Sequence, residues 1–294
     1  MHYHIENNRI DIDTENTYTT IRDFLNDYRQ SRRNQYLLLQ NHQILLDNKP
    51  VNNADTAIEG RILTLVLPEE EIDWKPAEET CTCIYEDPFC YIVHKDPGII
   101  IHSEDKDDIH CLNAYAARYQ LQHHIHAPIR PIHRLDKDTT GLVFYSKIRF
   151  FQPWFDQMLA EKKIARQYLA ICYGNIKEGK RFSSHMRIGR DRHQSGKYRI
   201  SSTGKEAFTE FTCLKRKGPY VLIQCILHTG HTHQIRLHLS DMHLPIVNDP
   251  LYGKPSRDFQ NMGLWAEKLS FHDPITYQKH TVHDLNNTDY DCFR

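Results

Sequence analysis

The chain has 294 residues, of which 39% are hydrophobic and 26% charged. This composition is typical of soluble globular proteins and excludes disordered, collagen-like and membrane-embedded chains. The formal net charge of −1 argues against a nucleic-acid binder, but the charge is unevenly spread: residues 1–80 carry 8 basic and 15 acidic side chains, and residues 130–240 carry 21 basic and 8 acidic ones. Such a basic block indicates either a polyanion site or a solvated surface, and charge alone does not decide between them.

Cellular location is indicated by what the sequence lacks. No basic stretch followed by an apolar one opens the chain, and no apolar run reaches membrane-spanning length, so we expect neither a secretory signal nor a membrane anchor. The eight cysteines show no recurring spacing, which favours free thiols in a reducing compartment. We therefore expect a cytoplasmic protein.

The first part of the chain has a compact helix-then-strand pattern. Ile21, Phe24 and Leu25 recur at helical spacing, and Ser31 is a good N-cap for a second helix. Short strands are predicted at 44–46 and 61–66. Residues 68–80 contain two prolines and six acidic residues, which suits an exposed linker. The sequence thus predicts a domain over 1–67, a linker over 68–80 and a second domain over 81–294.

The second part predicts several strands with few helices. Residues 83–86 and 90–94 read as a hairpin across Asp87-Pro88, and 142–145 as a short buried strand. A helix follows, with its apolar residues at i, i+3, i+4, i+7 and i+8, namely Phe151, Trp154, Phe155, Met158 and Leu159. Further strands are expected at 168–173, 208–213 and 221–227. This order favours an α+β fold with a mixed or largely antiparallel sheet.

The densest polar cluster is residues 133–141, His-Arg-Leu-Asp-Lys-Asp-Thr-Thr-Gly, just before an apolar strand. Asp136 should remain ionised between Arg134 and Lys137, because nearby positive charge favours the carboxylate. It could serve as a nucleophile, a base or a metal ligand. The alternative is an ordinary turn, since Asp, Thr and Gly are common turn residues.

A second cluster, residues 229–238, contains His231, His233 and His238 and suggests a zinc site. The expected helix starts near Thr229, however, and leaves the three histidines without a tetrahedral arrangement. We therefore predict no metal.

Residues 174–180 match the glycine and lysine spacing of a phosphate-binding loop. Arg181 follows where a Ser or Thr is needed, and no helix is predicted after it. We interpret the segment as a hairpin turn.

Several ordered segments of the sequence together resemble a known family. Residues 133–141 resemble the catalytic signature of RluA-type pseudouridine synthases, and the resemblance continues in order through 166–170, 229–238, 245–253 and 264–266. It covers about residues 80–275. The departures are Thr140 for Ser, His231 for Arg, Arg166 for Lys, and His94 for Asn. Residues 17–66 resemble an S4 RNA-binding domain through their helix-helix-hairpin pattern.

The resemblance implies an α+β pseudouridine synthase domain, with a mixed or antiparallel sheet, preceded by a small α+β S4-like domain. It implies isomerisation of uridines in structured RNA, with ribosomal RNA ahead of transfer RNA as the partner. No cofactor or metal is needed for this reaction. We further expect a monomer without membrane contact.

Residue roles also follow from the resemblance. Asp136 acts at the sugar, either by attack on C1′ or by removal of a ribose proton, and Arg236 pairs with it. Tyr168 lies against the uracil, where it offers a stacking face and a base for the C5 proton. The remaining expected RNA contacts in this domain are Arg134, which fills the place of the flipped-out base, the apolar wall Ile235, and the loop residues His133 and Thr139.

The charge distribution, rather than the resemblance, predicts one more RNA contact. Half of the eight basic residues before residue 80 lie on the two predicted N-terminal helices, namely Arg22, Arg29, Arg32 and Arg33. We expect them to form a small basic patch that positions a structured RNA.

Two other functions remain open from the sequence. One is an RNA-binding protein whose synthase domain is inactive, against which Asp136, Tyr168 and Arg236 all argue. The other is a metal-dependent hydrolase that uses His231, His233 and His238.

Overall fold

The structure is a computed structural model that describes residues 1–15, 17–194 and 196–293. Its helices are α1 Ile21–Asp27, α2 Arg32–Gln40, α3 Leu112–Gln122, α4 Gln152–Ala160 and α5 Gln234–Asp241, with 3-10 helices at Arg149–Phe151 and Thr288–Phe293. Its strands are β1 His2–Glu6, β2 Arg9–Asp13, β3 Ile44–Leu46, β4 Lys49–Pro50, β5 Ile62–Val66, β6 Thr82–Glu86, β7 Cys90–Lys95, β8 Arg130–Pro131, β9 Thr140–Ser146, β10 Ala165–Tyr173, β11 Arg181–Arg190, β12 Tyr198–Ile200, β13 Lys205–Lys217, β14 Tyr220–Leu227, β15 Leu264–His272 and β16 Lys279–His283. No helix in these ranges has the length and apolar character needed to cross a membrane.

The N-terminal unit (residues 1–67) is a five-stranded antiparallel sheet in the order β1-β2-β5-β3-β4, with α1 and α2 between β2 and β3. Both helices begin where the sequence predicts. Thr20 and Asp23 form a reciprocal capping box at α1, and the Ser31 side chain caps α2 by accepting from the amide of Asn34. The sequence analysis did not anticipate β1 and β2.

The larger sheet has the order β12-β11-β13-β14-β10-β15-β9-β7-β6, with β16 paired to β15 and β8 to β9. Its neighbours are antiparallel except for β15 and β9, which pair in parallel through Trp265–Thr140 and Ala266–Gly141. This mixed sheet with few helices confirms the predicted α+β class. The predicted 83–94 hairpin is also present as β6 and β7.

Gly141 permits the parallel contact between β9 and β15. Its φ is +115°, and a Cβ atom there would lie 2.4 Å from the Ala266 carbonyl oxygen. Only glycine adopts this conformation without strain and leaves room for the neighbouring backbone. The second residue of β9, the strand that follows the Asp136 loop, is therefore a position that only glycine fits.

Helix α4 joins the two sheets into one apolar core. Trp154, Phe155 and Met158 are buried as the spacing predicts. The adjoining Phe150 lies against Phe24 and Tyr28 of the N-terminal unit, with ring centroids 5.9 and 5.4 Å apart. The N-terminal unit is thus packed against the larger sheet over a continuous aromatic contact.

The segment 68–80 contains no helix or strand, but part of it is packed rather than exposed. Trp74 and Ala77 are buried in the core of the larger sheet. Asp73 forms ion pairs with Lys106 at 2.6 Å and Arg130 at 3.0 Å. The expectation of an exposed linker overlooked Trp74, whose indole has a large apolar surface to bury.

Residues 174–180 do not form the hairpin turn that we expected. They connect β10 to β11, which are separated in the sheet by β14 and β13. The element after them is a strand, so they do not precede a helix N-terminus that could hold a phosphate.

Candidate active site

A cavity of about 740 Å³ opens between the loop after β8, strand β10 and the start of α5. Its wall has four Lys or Arg side chains, Arg134, Lys137, Arg166 and Arg236, and one carboxylate, Asp136. This charge balance attracts a polyanion and places one anionic group among cations. The cavity brings together the two polar clusters found in the sequence.

The loop that carries Asp136 is held by its own backbone and by the strand β7. The amide of Thr139 donates to the Asp136 carbonyl at 3.1 Å and closes a turn. The Lys137 carbonyl accepts from the amide of Gly98 at 3.0 Å and from the ammonium group of Lys95 at 2.8 Å. The backbone on either side of the carboxylate is therefore fixed.

Lys95 is a buried cation that the sequence analysis did not assign to the site. Its ammonium group donates to the carbonyls of Asp96, Ile99 and Lys137, each at 2.8 Å. Burial lowers the pKa of Lys95 to about 8, and nearby carboxylates including Asp136 oppose that shift. A lysine at the end of a largely apolar strand was the available signal, because lysine is rarely buried without partners.

Arg236, on α5, joins two carboxylates. Its Nη1 donates to Oδ2 of Asp136 at 2.9 Å, and its Nε and Nη2 donate to the two oxygens of Asp249, each at 2.8 Å. Burial alone would lower the pKa of Arg236, but its bonds to Asp249 and Asp136 outweigh burial and raise it. The predicted pairing of Arg236 with Asp136 is thus present in the structure.

Asp249 is the second functional residue that sequence reasoning did not assign. It is buried, and its Oδ1 also accepts from the amides of Leu251 and Tyr252. Burial would raise the pKa of Asp249, but Arg236 and these amides lower it. Its segment matched the family pattern, yet only the three-dimensional contact shows that it holds Arg236.

The Asp136 side chain is one quarter exposed and lines the cavity. Arg236 engages its Oδ2, whereas no hydrogen bond from the residues that the structure describes reaches Oδ1. One oxygen is therefore anchored and the other is unpartnered. Such an arrangement orients a carboxylate while leaving one of its oxygens free to react.

Tyr168 and Ile235 are two of the apolar residues in the cavity wall. Both are buried, with 4% of each exposed. Burial raises the pKa of the Tyr168 phenol, the nearby Asp136 charge adds to the rise, and Arg166 opposes it. The phenol is therefore protonated at neutral pH.

The other predicted RNA contacts in this loop differ in accessibility. Arg134 is exposed at the cavity, whereas Thr139 is buried. His133 is also buried, and within the described ranges neither of its ring nitrogens has a hydrogen-bond partner. Burial, with a contribution from Arg166, lowers the pKa of His133 to about 3, so its ring is neutral.

The three histidines of the second cluster do not converge. His231 Nε2 lies 2.8 Å from the Glu206 carbonyl, His233 Nδ1 lies 3.0 Å from the Tyr252 hydroxyl, and His238 Nδ1 lies 3.0 Å from Thr209 Oγ1. Within the described ranges, no group of three or more His, Cys, Asp or Glu side chains is arranged to hold a metal. The geometry does not favour the metal-dependent hydrolase.

The structure does not bring the predicted N-terminal arginines to the cavity. Arg22 is bound through two hydrogen bonds to Asp55, at 2.6 and 3.0 Å. Arg32 and Arg33 are exposed on the first turn of α2. The charge of Arg22 is therefore compensated by Asp55, whereas Arg32 and Arg33 present their charges to solvent.

A family model described as RNA pseudouridylate synthase matches residues 90–241, which include the Asp136 loop and α5. The chain belongs to this family. It is therefore an RNA pseudouridine synthase, which isomerises uridine in RNA, and the inactive-protein and hydrolase alternatives are not favoured.

Individual relatives agree with this assignment over most of the chain. An uncharacterized RNA pseudouridine synthase of Bacillus subtilis (strain 168), YhcT, is 32% identical over 80% of this chain and 77% of that protein. The ribosomal large subunit pseudouridine synthase D of Xylella fastidiosa (strain Temecula1 / ATCC 700964) is 29% identical over 81% of this chain and 76% of that protein.

A solved structure shares the fold. Human RNA pseudouridylate synthase domain containing 1 has a TM-score of 0.58 at 23% identity, over 71% of this chain and 84% of that one.

The departures from the family pattern lie around the Asp136–Arg236 pair of this pseudouridine synthase. Arg166 and His231 line the cavity, and Thr140 begins β9. His94 lies behind the loop on β7, where its Nδ1 is 2.6 Å from Asp284. The Asp136, Arg236 and Tyr168 positions themselves match the pattern.

Proposed function

We propose that this pseudouridine synthase modifies uridines of ribosomal large-subunit RNA, with Asp136 as the group that acts on the sugar. Several relatives, including those of Xylella fastidiosa and Yersinia pestis, are named ribosomal large subunit pseudouridine synthase D. The proposal rests chiefly on the Arg236 contact, which anchors one oxygen of Asp136 and leaves the other free in a basic cavity.

The reaction breaks the C1′–N1 bond of uridine and forms a C1′–C5 bond. The proton at C5 is released and N1 gains a proton, so the change is an isomerisation without net oxidation. Positive charge develops at C1′ when the first bond breaks, and a carboxylate can stabilise or trap that charge, as in retaining glycosidases. The free Oδ1 of Asp136 suits this role, and Arg236 remains balanced by Asp249 when the Asp136 charge is consumed.

Tyr168 and Ile235 are proposed to enclose the uracil, because both present buried apolar surface to the cavity. The target base must leave its stack before it can enter. We propose that Arg134, which is exposed at the same cavity, takes the position that the base leaves.

The N-terminal unit is proposed to be an S4-like domain that helps to position structured RNA. Its candidate phosphate contacts are Arg32 and Arg33, which are exposed at the positive N-terminal end of the nine-residue helix α2. The protein is proposed to act as a monomer, because Asp136, Arg236 and Tyr168 already line one cavity. The scattered thiols favour the cytoplasm as the compartment.

Pseudouridine mapping of ribosomal and transfer RNA from cells that lack this protein tests the proposal. We expect one or more ribosomal large-subunit pseudouridines to be absent. Expression of the natural protein should restore them, and expression of Asp136→Asn should not. An unchanged ribosomal pattern would contradict the proposed substrate, and restoration by Asp136→Asn would contradict the proposed role of Asp136.

A further inference from the structure

His233 lies beside Asp136 but has no role in the function proposed so far. It precedes α5 with φ of +58°, in the left-handed region. Non-glycine residues adopt this conformation infrequently, and asparagine, aspartate and histidine do so more than others. The conformation turns the chain into α5 and places the imidazole among the cavity-lining groups.

The imidazole ring is held on one side and open to the carboxylate on the other. Nδ1 lies 3.0 Å from the Tyr252 hydroxyl, and the ring meets Tyr198 and Tyr252 edge to face, with centroids 5.5 and 5.6 Å apart. Nε2 lies 3.8 Å from Oδ2 of Asp136. That distance is too long for a direct hydrogen bond.

A hydroxyl oxygen fits the gap between these two atoms. It could lie about 2.8 Å from both Nε2 and Oδ2, because two such bonds can span any separation below about 5.6 Å. A hydroxyl can accept from a protonated Nε2 while it donates to the Asp136 carboxylate, so this bridge uses the neutral tautomer that carries its proton on Nε2. Burial lowers the pKa of His233, and the opposing effect of Asp136 is smaller. The ring is therefore neutral at neutral pH.

The substrate supplies one hydroxyl at this distance from the reacting carbon. In uridine, C2′ is bonded directly to C1′ and carries the 2′-hydroxyl, which is the group that distinguishes RNA from DNA. We propose that His233 binds the 2′-hydroxyl of the target uridine and so determines that the enzyme acts on ribose. This inference rests on the proposed action of Asp136 at the sugar.

Tyr252 supports His233 in this role. Its hydroxyl accepts from the Tyr198 amide at 2.7 Å. With the imidazole proton on Nε2, the same hydroxyl donates to Nδ1 of His233 at 3.0 Å. The Tyr252 ring lies 5.4 Å from the guanidinium carbon of Arg236. Tyr252 thereby connects strand β12, His233 and the Asp136–Arg236 pair, and it is a positioning residue for the imidazole.

The test compares the binding of two RNAs by Asp136→Asn, in which bound RNA stays unreacted. Both are fragments spanning the uridine identified by mapping, and they differ only in a single 2′-deoxyuridine at the target. Loss of one neutral hydrogen bond predicts that the ribose form binds about fivefold more tightly. Adding His233→Asn, which tolerates the left-handed backbone but is shorter, should bring the ratio of the two dissociation constants to about one.

His243→Asn is the matched control. His243 is exposed just after α5 and also has a positive φ, of +59°, but does not line the cavity. With this control the fivefold ratio should persist. The proposal would be overturned if the fivefold ratio of dissociation constants persisted in His233→Asn, including the case in which both RNAs bind more weakly by the same factor. Failure of the proposed function is distinguishable, because mapping and the Asp136→Asn rescue report on it, whereas the ratio of dissociation constants reports on His233.

Discussion

At the scale of single residues, the site depends on one guanidinium that serves two carboxylates. Arg236 has one positive charge, and Asp136 and Asp249 together have two negative charges. Arg236 therefore keeps Asp249 as a partner when Asp136 forms a bond to carbon, and its guanidinium is not left unpaired beside the cavity.

His133 allows the electrostatics of the loop to be tested through stability. The pKa of His133 is about 3 in the folded protein and 6.5 in the unfolded chain, so between these values the unfolded chain binds one more proton than the folded protein. Stability from this group is therefore present above pH 6.5 and is lost as pH falls towards 3. Between pH 7 and pH 5 the loss should be about 2 kcal/mol.

Urea unfolding at pH 7 and pH 5 measures this effect. His133→Leu should lose less stability than the natural protein over the same interval, by about 2 kcal/mol. His243→Asn, whose side chain is exposed, should lose as much as the natural protein. An identical pH dependence in His133→Leu and the natural protein would show that His133 is not held neutral by burial.

Lys95 should act on turnover through the backbone of the Asp136 loop. Lys95→Met retains an unbranched side chain but removes three hydrogen bonds to carbonyls. We expect kcat to fall by about tenfold or more with little change in KM, because a misplaced reacting group costs rate rather than binding. An unchanged kcat in a folded Lys95→Met would contradict this positioning role.

At the scale of elements, the parallel contact between β9 and β15 depends on Gly141. Gly141→Ala should destabilise the protein by about 3 kcal/mol or more, because it adds both a backbone strain and a clash with the Ala266 carbonyl. Gly179→Ala is the control, since φ is +79° there but the space around it is open. Gly179→Ala should lower the free energy of unfolding by about 1 kcal/mol. Equal losses of stability in the two variants, measured by thermal unfolding, would contradict the clash at Gly141.

The sequence predicted elements whose apolar residues form a clear stripe or an unbroken run, such as α4 and β9, and it missed several others. Helix α4 was found because its apolar residues recur along one stripe. Helix α3 was missed because it is buried on several sides, with Asn113, Ala114, Ala117 and Gln120 all in the interior. The 174–180 connection was misread because strand neighbours in a sheet are set by long-range pairing, which local turn residues do not report.

The sequence also predicted only the part of the site that local motifs carry. The motif containing Asp136 and the motif containing Arg236 are each visible locally, and the family resemblance implied their pairing. The role of Asp249 could not be inferred locally, because it arises from a contact between α5 and the segment that follows it. Lys95 acts through backbone carbonyls, which have no residue-specific signal in a sequence.

At the scale of the whole molecule, the N-terminal unit is bound to the rest by a buried contact. The Tyr28 hydroxyl donates to the Pro274 carbonyl at 2.7 Å, and the Gln30 amide donates to the Phe150 carbonyl at 2.7 Å. Deleting this unit would expose that apolar contact, so point substitutions are the cleaner test of its RNA binding.

Arg32→Ala with Arg33→Ala should weaken binding of long structured RNA and reduce the slope of log affinity against log salt by about 1 to 2. Turnover of a short RNA should remain unchanged. Arg22→Ala is the control, because Asp55 already compensates that charge, and it should have a smaller effect on the slope. An unaltered salt slope in the double variant would indicate that α2 does not contact phosphate.

The most direct test of the central claim is the turnover of purified Asp136→Asn on the RNA identified by mapping. The substitution keeps the size of the side chain and removes its charge, so isomerisation should become undetectable while RNA affinity is retained. Pseudouridine formation at a rate close to that of the natural protein, by a variant that binds the same RNA, would contradict the assignment of Asp136 as the reacting group.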